Sequence, residues 1–456
     1  MRGWICGVLL FGGAAWGDEL EELKRKNEEL VQRVEALEKK DIDRDIEEYL
    51  DATAQSQAQG DPTLTPGAMG LRISGQIRVR GEIRDNLYSD QPNGEFSFNI
   101  IRLRTRIRFD FDVTESIGAT IELQDVRLFG EAQSTTGQLD NVDLKRGFMF
   151  FRNLGGQPVD IELGRMVIQY GDQRLIGHLE WVDQGRSYDG IRILGHPEKW
   201  FLDGFAYRIR ETGSDVQNQN FFGLYGGPKW LDLYVLGLQD QMAETGETGA
   251  DGKTLFWTFG FRAHVKWGGL FCKVELPVQL GDLNGDDLQA WAAAVDLSYT
   301  FENARWQPKI YFVFAYASGD DNPNDGKVKQ FQTLFPTNHL HYGYADQVGW
   351  SNIINFRLGF LLKPAKNWKI RFDYHHFRRP EAEGDWIDAA GNVVRPGAAG
   401  SSKHLADEFD IVVTWTPTKP FSLEFGWALF LPGGFIEDTG SSPTANFVYL
   451  QAFLQF

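Results

Sequence analysis

Cysteine is nearly absent from this chain of 456 residues, basic residues are outnumbered, and no stretch is apolar for long. A membrane helix needs roughly 18 consecutive apolar residues, and no such run occurs, which excludes a helical membrane protein. Of the two cysteines, Cys6 falls in the leader described below, so Cys272 is the one thiol of the processed chain and an intramolecular disulfide is excluded. Lys and Arg total 46 against 63 Asp and Glu, a formal net charge of -17. That balance argues at first sight against an anion-binding protein, but net charge sums over tails, loops and cavities, and the local field in a cleft governs a charged ligand.

What is abundant is glycine and aromatic side chain: 50 Gly, 34 Phe, 14 Trp and 14 Tyr. The opening MRGWICGVLLFGGAAWG has Arg2, an apolar core from Trp4 to Phe11 and small residues up to Gly17. It reads as a signal peptide over 1–17, since its glycines disfavour a buried helix. In residues 18–50, Leu23, Leu30 and Leu37 occupy d positions and Asn27 an a position, which predicts a periplasmic coiled-coil helix able to bind itself or a periplasmic partner. A solvated single helix is the alternative, because three heptads are marginal alone. Residues 51–70, rich in Ala, Gln, Gly and Pro, read as a linker.

From Leu71 to Phe456 the pattern is period two, the mark of β-strands. In LRISGQIRVRGEIR, Ile73, Ile77, Val79 and Ile83 alternate with Arg72, Arg78, Arg80 and Arg84; in IIRLRTRIRFDFDV, Ile101, Leu103, Ile107 and Phe109 alternate with Arg102, Arg104, Arg106 and Arg108. Alternation alone also fits a soluble sandwich. Aromatic placement decides against it: in WTFGFRAHVKW, Trp257 and Trp267 share a face with Phe259, Phe261 and Val265. About ten residues at ~3.3 Å, tilted by roughly 40°, span the ~25 Å apolar band of an outer-membrane barrel with an aromatic residue at each interface. NWKIRFDYHHF and FDIVVTWTP repeat the arrangement. The final NFVYLQAFLQF is itself an alternating apolar strand whose edge would aggregate unless paired, so the sheet is expected to close. The fold class is therefore all-β, a single large antiparallel transmembrane barrel over 71–456, and the length accommodates sixteen or eighteen strands around an aqueous bore. The location implied is the outer membrane of a Gram-negative-type bacterium, with the N-terminal helix in the periplasm and outer-membrane lipid as one partner.

The arginines of the first two strands form a cationic wall, with strands about 4.8 Å apart. Arg holds its charge at any physiological pH and pairs with carboxylates bidentately, and rings of Arg make pores anion-selective. Arg78, Arg80, Arg102, Arg104, Arg106 and Arg108 are thus candidate contacts for an anionic substrate, although about half of such arginines are expected to pair with acids such as Glu82, Asp110, Asp112 and Glu122. On this reading Arg104→Glu with Arg106→Glu lowers anion selectivity and leaves the fold intact.

Residues 164–193, GRMVIQYGDQRLIGHLEWVDQGRSYDGIRI, contain Gly164, Arg165, the run Tyr170, Gly171, Asp172, Arg174, Leu175 and Gly177, then Trp181, and finally Arg186 to Arg192. This block resembles the alginate export family of outer-membrane barrels, with Met166 where that family often has Gln. Residues 316–352 and FLPGGFIEDTG at 430–440 resemble two further blocks of the family. The resemblance implies a monomeric barrel of eighteen strands whose electropositive lumen passes an acidic polysaccharide. It adds Arg165, Arg174, Arg186 and Arg192 as lumenal contacts, held by Asp172 and Asp189. The coiled coil is not part of the barrel motif and leaves the monomeric state open.

Other chemistry is weakly signalled. Asp282, Asn284 and Asp286, and Asp320, Asn322 and Asn324, have oxygen-rich spacing but no EF-hand Gly and Glu, which favours turns over calcium. His339, His341, His375 and His376 lack a nucleophile in context, so no enzyme, catalytic residue, metal or cofactor is assigned, and no nucleic-acid partner. Three functions follow: an export channel for an anionic, alginate-like polysaccharide by passive diffusion; an uptake porin for phosphate or organic acids, oligomeric through the coiled coil; and a plugged structural anchor.

Overall fold

The computed structural model describes residues 70–135, 141–211 and 218–456. The expected signal peptide, coiled coil and linker lie outside these residues, apart from Gly70, which opens the first strand.

Alternating side chains and turn residues divide the chain into a meander. It begins with β1 (Gly70–Asp85), β2 (Ser97–Asp112), β3 (Ile117–Leu128), β4 (Val142–Phe151), β5 (Val159–Met166) and β6 (Tyr188–Gly195). There follow β7 (Trp200–Arg210), β8 (Gln219–Pro228), β9 (Leu231–Thr245), β10 (Asp251–Trp267), β11 (Leu270–Leu283), β12 (Asp286–Thr300) and β13 (Lys309–Ala317). After the two-residue β14 (Lys327–Val328) come β15 (Ile353–Ala365), β16 (Trp368–Arg378), the small hairpin β17 (Trp386–Ile387) with β18 (Val393–Arg395), then β19 (His404–Thr418), β20 (Phe421–Pro432) and β21 (Ala445–Gln455). The main sheet has 19 strands, of which β14 is a loop strand lying parallel to β12, so eighteen antiparallel strands make the wall. β1 pairs with β2 on one edge and with β21 on the other, from Gln76↔Gln455 to Asp85↔Asn446. The sheet closes, as the apolar terminal strand requires, and the wall keeps no open edge.

The faces follow the sequence period. Ile73, Ile77, Ile83, Ile101 and Ile107 are exposed on the outside, whereas Arg78, Arg80, Arg104 and Arg106 are buried within. Trp200, Trp230, Trp267, Trp306 and Trp368 stand exposed at or beside the short-turn end, and Trp368 stacks on Trp415 with centroids 5.9 Å apart. An apolar band ending in a tryptophan girdle is what a bilayer selects.

Short turns such as 268–269 and 419–420 join strands at this end, and the connections 167–187, 318–352 and 379–403 lie at the other. The short helix α1 (Gly434–Thr439) buries Phe435 and Ile436. Within the bore several rings lie over glycines of the adjacent strand. Gly359 faces Tyr311 across the ladder, and a Cβ there would sit 2.1 Å from the ring; Gly426 faces Tyr449 in the same way, at 2.0 Å. The missing side chain gives the ring its seat, and the ring covers backbone that glycine leaves bare. Gly359→Val is expected to displace Tyr311 from its hydrogen bond to Asp373 and to cost about 1–3 kcal/mol. Heat-dependent gel mobility of the folded barrel measures this; an unchanged transition temperature would show that the ring does not depend on that seat.

Candidate lumenal constriction

The loop 167–187 leaves β5 and crosses the bore. Its first contact is Tyr170, whose hydroxyl donates to Asp203 at 2.9 Å and whose ring stacks on Tyr225 at 4.6 Å. Gly171 adopts φ 54°, and a Cβ there would meet the Tyr225 hydroxyl at 2.8 Å, so the chain can lie against the wall only with glycine. Asp172 accepts from Arg262 Nε at 2.8 Å and pairs with Lys273, while Arg174 donates to Asp296 Oδ1 at 2.9 Å and to the Tyr342 hydroxyl at 3.1 Å. The wall partners here belong to β10, β11 and β12.

The other end of the loop is tied to β1 and β2, nine and eight wall strands away from β10. Arg104 and Arg106 reach Glu180 Oε2 at 3.0 and 2.6 Å, and Arg78 and Arg102 take the two oxygens of Asp183 at 2.6 and 3.0 Å. Backbone carbonyls share the load: Arg78 donates to Glu180 O at 2.7 Å, Arg80 to Trp181 O at 2.8 Å, and Lys145 to Gln184 O at 2.8 Å. Burial by itself would raise the Glu180 pKa, but the charges of Arg104, Arg106 and Lys145 overcome it and hold the carboxyl far below the usual range. A segment bound by ion pairs to two distant parts of the wall is a strap across the bore.

The loop 318–352 lies along this strap. Phe335 N–H donates to Leu175 O at 2.8 Å, Gly177 N–H to Phe335 O at 2.7 Å and Thr337 N–H to Gln173 O at 2.8 Å. Arg186 donates to Gly177 O at 2.9 Å and to Pro336 O at 3.1 Å, joining both loops. Trp181 stacks on His339 at 3.7 Å and carries the Arg80 guanidinium 4.0 Å from its ring centroid. The second loop has wall contacts of its own: Arg357 donates to Leu340 O at 3.1 Å, and Ala345 N–H donates to Glu408 Oε1 at 2.8 Å. The two loops together narrow the bore.

The residues expected to touch substrate therefore divide. Arg78, Arg80, Arg104 and Arg106 face inward but are buried under the strap, and Arg174 and Arg186 lie in it. Charge reversal at Arg104 and Arg106 would thus not leave the fold untouched: it would set two acids against Glu180. Asp172 anchors the strap on the far wall, and Arg192 pairs inward with Glu162 at 2.6 Å. Arg102, paired with Glu82 and Asp183, and Arg108, paired with Asp110, keep 27% and 28% of their side chains exposed. Arg165 and Asp189, paired at 2.6 Å, need correction: they share strand parity with the exposed Leu163, Ile191 and Ile193, which turns them to the outer face, away from the lumen.

Sequence reasoning passed over Arg262, Lys273, Asp296 and Arg357 as individual contacts. Their inward parity was readable, but their importance comes from two loops over a hundred residues apart in the chain. Arg371, 23% exposed and 4.6 Å from the Tyr344 ring, is a further inward cation. The oxygen-rich segments serve as turn structure: Asn284 accepts from Thr254 at 3.0 Å, and Asp320 accepts from Asn322 N–H at 2.9 Å and Lys329 N–H at 2.8 Å. Beside them, burial and the carboxylates of Asp320, Asp286 and Asp325 push Glu247 up to about 7.

The family model for alginate export matches residues 70–449, the whole wall but for the last few residues of its closing strand. The chain belongs to the alginate export family. Members are transport channels rather than enzymes, and this chain is a passive outer-membrane channel. Among solved structures, OprD of Pseudomonas aeruginosa superposes on this alginate export family barrel with a TM-score of 0.56 at 10% identity, over 84% of this chain and 94% of that one. OccK11 of the same organism gives 0.54 at 12% identity over 85% and 96%, and OpdF in complex with glucuronate gives 0.51 at 10% identity over 85% and 98%. At these identities the likeness is one of fold. No curated protein matches the sequence.

Two predictions follow from the strap and its surroundings. Glu180→Ala with Asp183→Ala takes the strap carboxylates away from Arg78, Arg102, Arg104 and Arg106, a cost of about 3–5 kcal/mol per broken buried pair, and is expected to loosen the strap while the hydrogen-bonded wall persists. Planar-bilayer recordings should then show larger, noisier single-channel conductance; parent-like conductance would show that the strap does not limit flow. For Glu247, the folded carboxyl holds its proton more tightly than the ordinary value of 4.5. Docking of loops 246–250 and 318–326 therefore weakens as pH rises from 4.5 through about 7. Glu247→Gln should flatten the pH dependence of amide-exchange protection in these loops, and an unchanged profile would reject the assignment.

Proposed function

We propose that this barrel passes an anionic, alginate-like polysaccharide by passive diffusion. The observation that carries the reading is the set of inward arginines whose side chains stay partly exposed beside the strap, Arg102 (which also pairs with Asp183), Arg108 and Arg371, while Arg78, Arg104 and Arg106 are buried against Glu180 and Asp183. A polyanion needs successive weak contacts rather than one tight site, and fixed cations at intervals along a bore supply them. Guanidinium suits uronate carboxylates because it offers paired donors and stays charged across physiological pH. The mature chain's acidic balance does not oppose this, since the field inside the bore is set by the groups lining it. Ten residues support the contact role or the framework behind it from within: Arg78, Arg80, Arg102, Arg104, Arg106, Arg108, Arg174, Arg186, Arg192 and Asp172; Arg165 and Asp189, on the outer face, take no part.

A second reading, uptake of small organic acids, draws on the narrowing by two loops and on the fold relatives, one of which was crystallised with glucuronate and another, OpdK of Pseudomonas aeruginosa, with vanillate. Planar-bilayer measurements separate the two. Block of anion current by added polyuronate supports polymer passage; block by a monomeric acid or phosphate alone supports the second reading. Arg102→Gln with Arg108→Gln is expected to reduce the anion-over-cation permeability ratio on the order of a few-fold with the strap still bound through Arg78, Arg104 and Arg106. An unaltered ratio would remove these side chains from the permeation path.

A further inference from the structure

The consecutive histidines of β16 part company on folding. Strand alternation sends His375 into the bore, where it is fully buried, and His376 to the outer face with Tyr374. Across the ladder on β19, Asp407 stands opposite His376, and His404 lies three residues before it. One carboxylate gathers three polar groups: Tyr374 donates its hydroxyl to Asp407 Oδ1 at 2.7 Å, His376 Nδ1 lies 2.8 Å from the same oxygen, and His404 Nε2 lies 3.0 Å from Oδ2. The two imidazoles stack at 5.0 Å, and ligand atoms of His376, His404 and Asp407 all fall within 4.8 Å of one another. Toward the middle of the strands the outward positions are apolar, with Phe409 tilted against Tyr374 at 4.9 Å, and Arg378 stands across the ladder from His404 on the rim side.

We propose that His376, His404 and Asp407 form a site for a divalent transition-metal ion, zinc(II) by the nature of its ligands, on the outer rim of the barrel. Two imidazoles and one carboxylate suit zinc, nickel or copper, whereas magnesium and calcium prefer all-oxygen shells. Tetrahedral bonds of about 2.0–2.2 Å place ligand atoms roughly 3.3 Å apart. At present His376 lies 2.8 Å from one carboxylate oxygen and His404 3.0 Å from the other, so admitting the ion takes an opening of these contacts and a turn of the carboxylate, within a cluster whose ligand atoms already lie within 4.8 Å of one another. The register of β16 and β19 fixes the relative position of His376 and Asp407, and the Tyr374 hydroxyl orients the carboxylate, the outer support that metal ligands require. The three side chains remain 24–35% exposed, which gives the ion an approach and leaves a fourth coordination position to water. The site sits at the end of β16 and the start of β19, flanking loop 379–403, opposite the short-turn end. Its side chains point away from the bore, so metal binding is independent of permeation.

The test uses the full barrel, purified in detergent without a histidine tag and stripped with chelator. Isothermal titration with zinc(II), and the visible absorption of cobalt(II), are expected to show one equivalent bound. Asp407→Asn, close in shape to the parent, and His376→Ala with His404→Ala should each weaken binding by at least about ten-fold, whereas His375→Gln should not. Heat-dependent gel mobility verifies that each variant is folded, and the isosteric Asp407→Asn keeps the test decisive should the double variant misfold. Absence of binding by the parent, or equal affinity in Asp407→Asn, would overturn the proposal.

Discussion

Charge compensation inside the bore is the constraint on which the rest of the interior depends. The first hairpin concentrates guanidinium groups in a narrow space; Glu82, Asp110 and Asp112 on the hairpin itself answer some of them, and the most buried ones are answered by carboxylates on a connection folded in from the rim. Glu180 and Asp183 neutralise Arg78, Arg102, Arg104 and Arg106, and in doing so they fix where the chain between β5 and β6 must run. A mirrored arrangement on β10 to β12, in which wall cations Arg262 and Lys273 meet Asp172 and wall acid Asp296 meets Arg174, holds the far end. Buried ion pairs add little net stability compared with apolar packing, but they tolerate few alternative arrangements. Here they specify the path of a loop that also buries Ile168, Tyr170, Leu175 and Ile176.

That division of labour separates the cations that shape the channel from those able to meet a solute. The most buried arginines serve the loop, and their neighbours Arg102 and Arg108, although paired with acids, stay partly exposed. The same residue type on the same strand face thus has two roles, set by how completely the loop covers it.

Much of the wall was legible from period-two alternation, because a closed sheet between hydrocarbon and water permits only one assignment of faces. Ile73 and Ile107 outside, with Arg78 and Arg106 inside, follow from that alone. The outward direction of Arg165 was also readable, since Ile161 and Leu163 share its parity; the family motif drew attention to the residue type instead of its position on the strand. The fate of Arg104 as against Arg108 was not readable. It depends on a contact between residues 76 positions apart through an irregular loop, and no local pattern encodes such a contact. The same holds for the pairing of Gly177 with Phe335, which joins two loops by backbone groups alone.

The seam between β1 and β21 joins residues from opposite ends of the wall, such as Asp85 and Asn446. Of all the ladders it encloses the longest stretch of chain, so its formation carries the largest loop-closure penalty and comes late unless the ends are brought together by other means. Until it forms, a nascent sheet presents two hydrogen-bonding margins, each able to recruit a foreign strand. Assembly of this protein therefore has a vulnerable stage that the mature wall conceals, and whatever escorts the polypeptide to the bilayer must shield those margins until they meet.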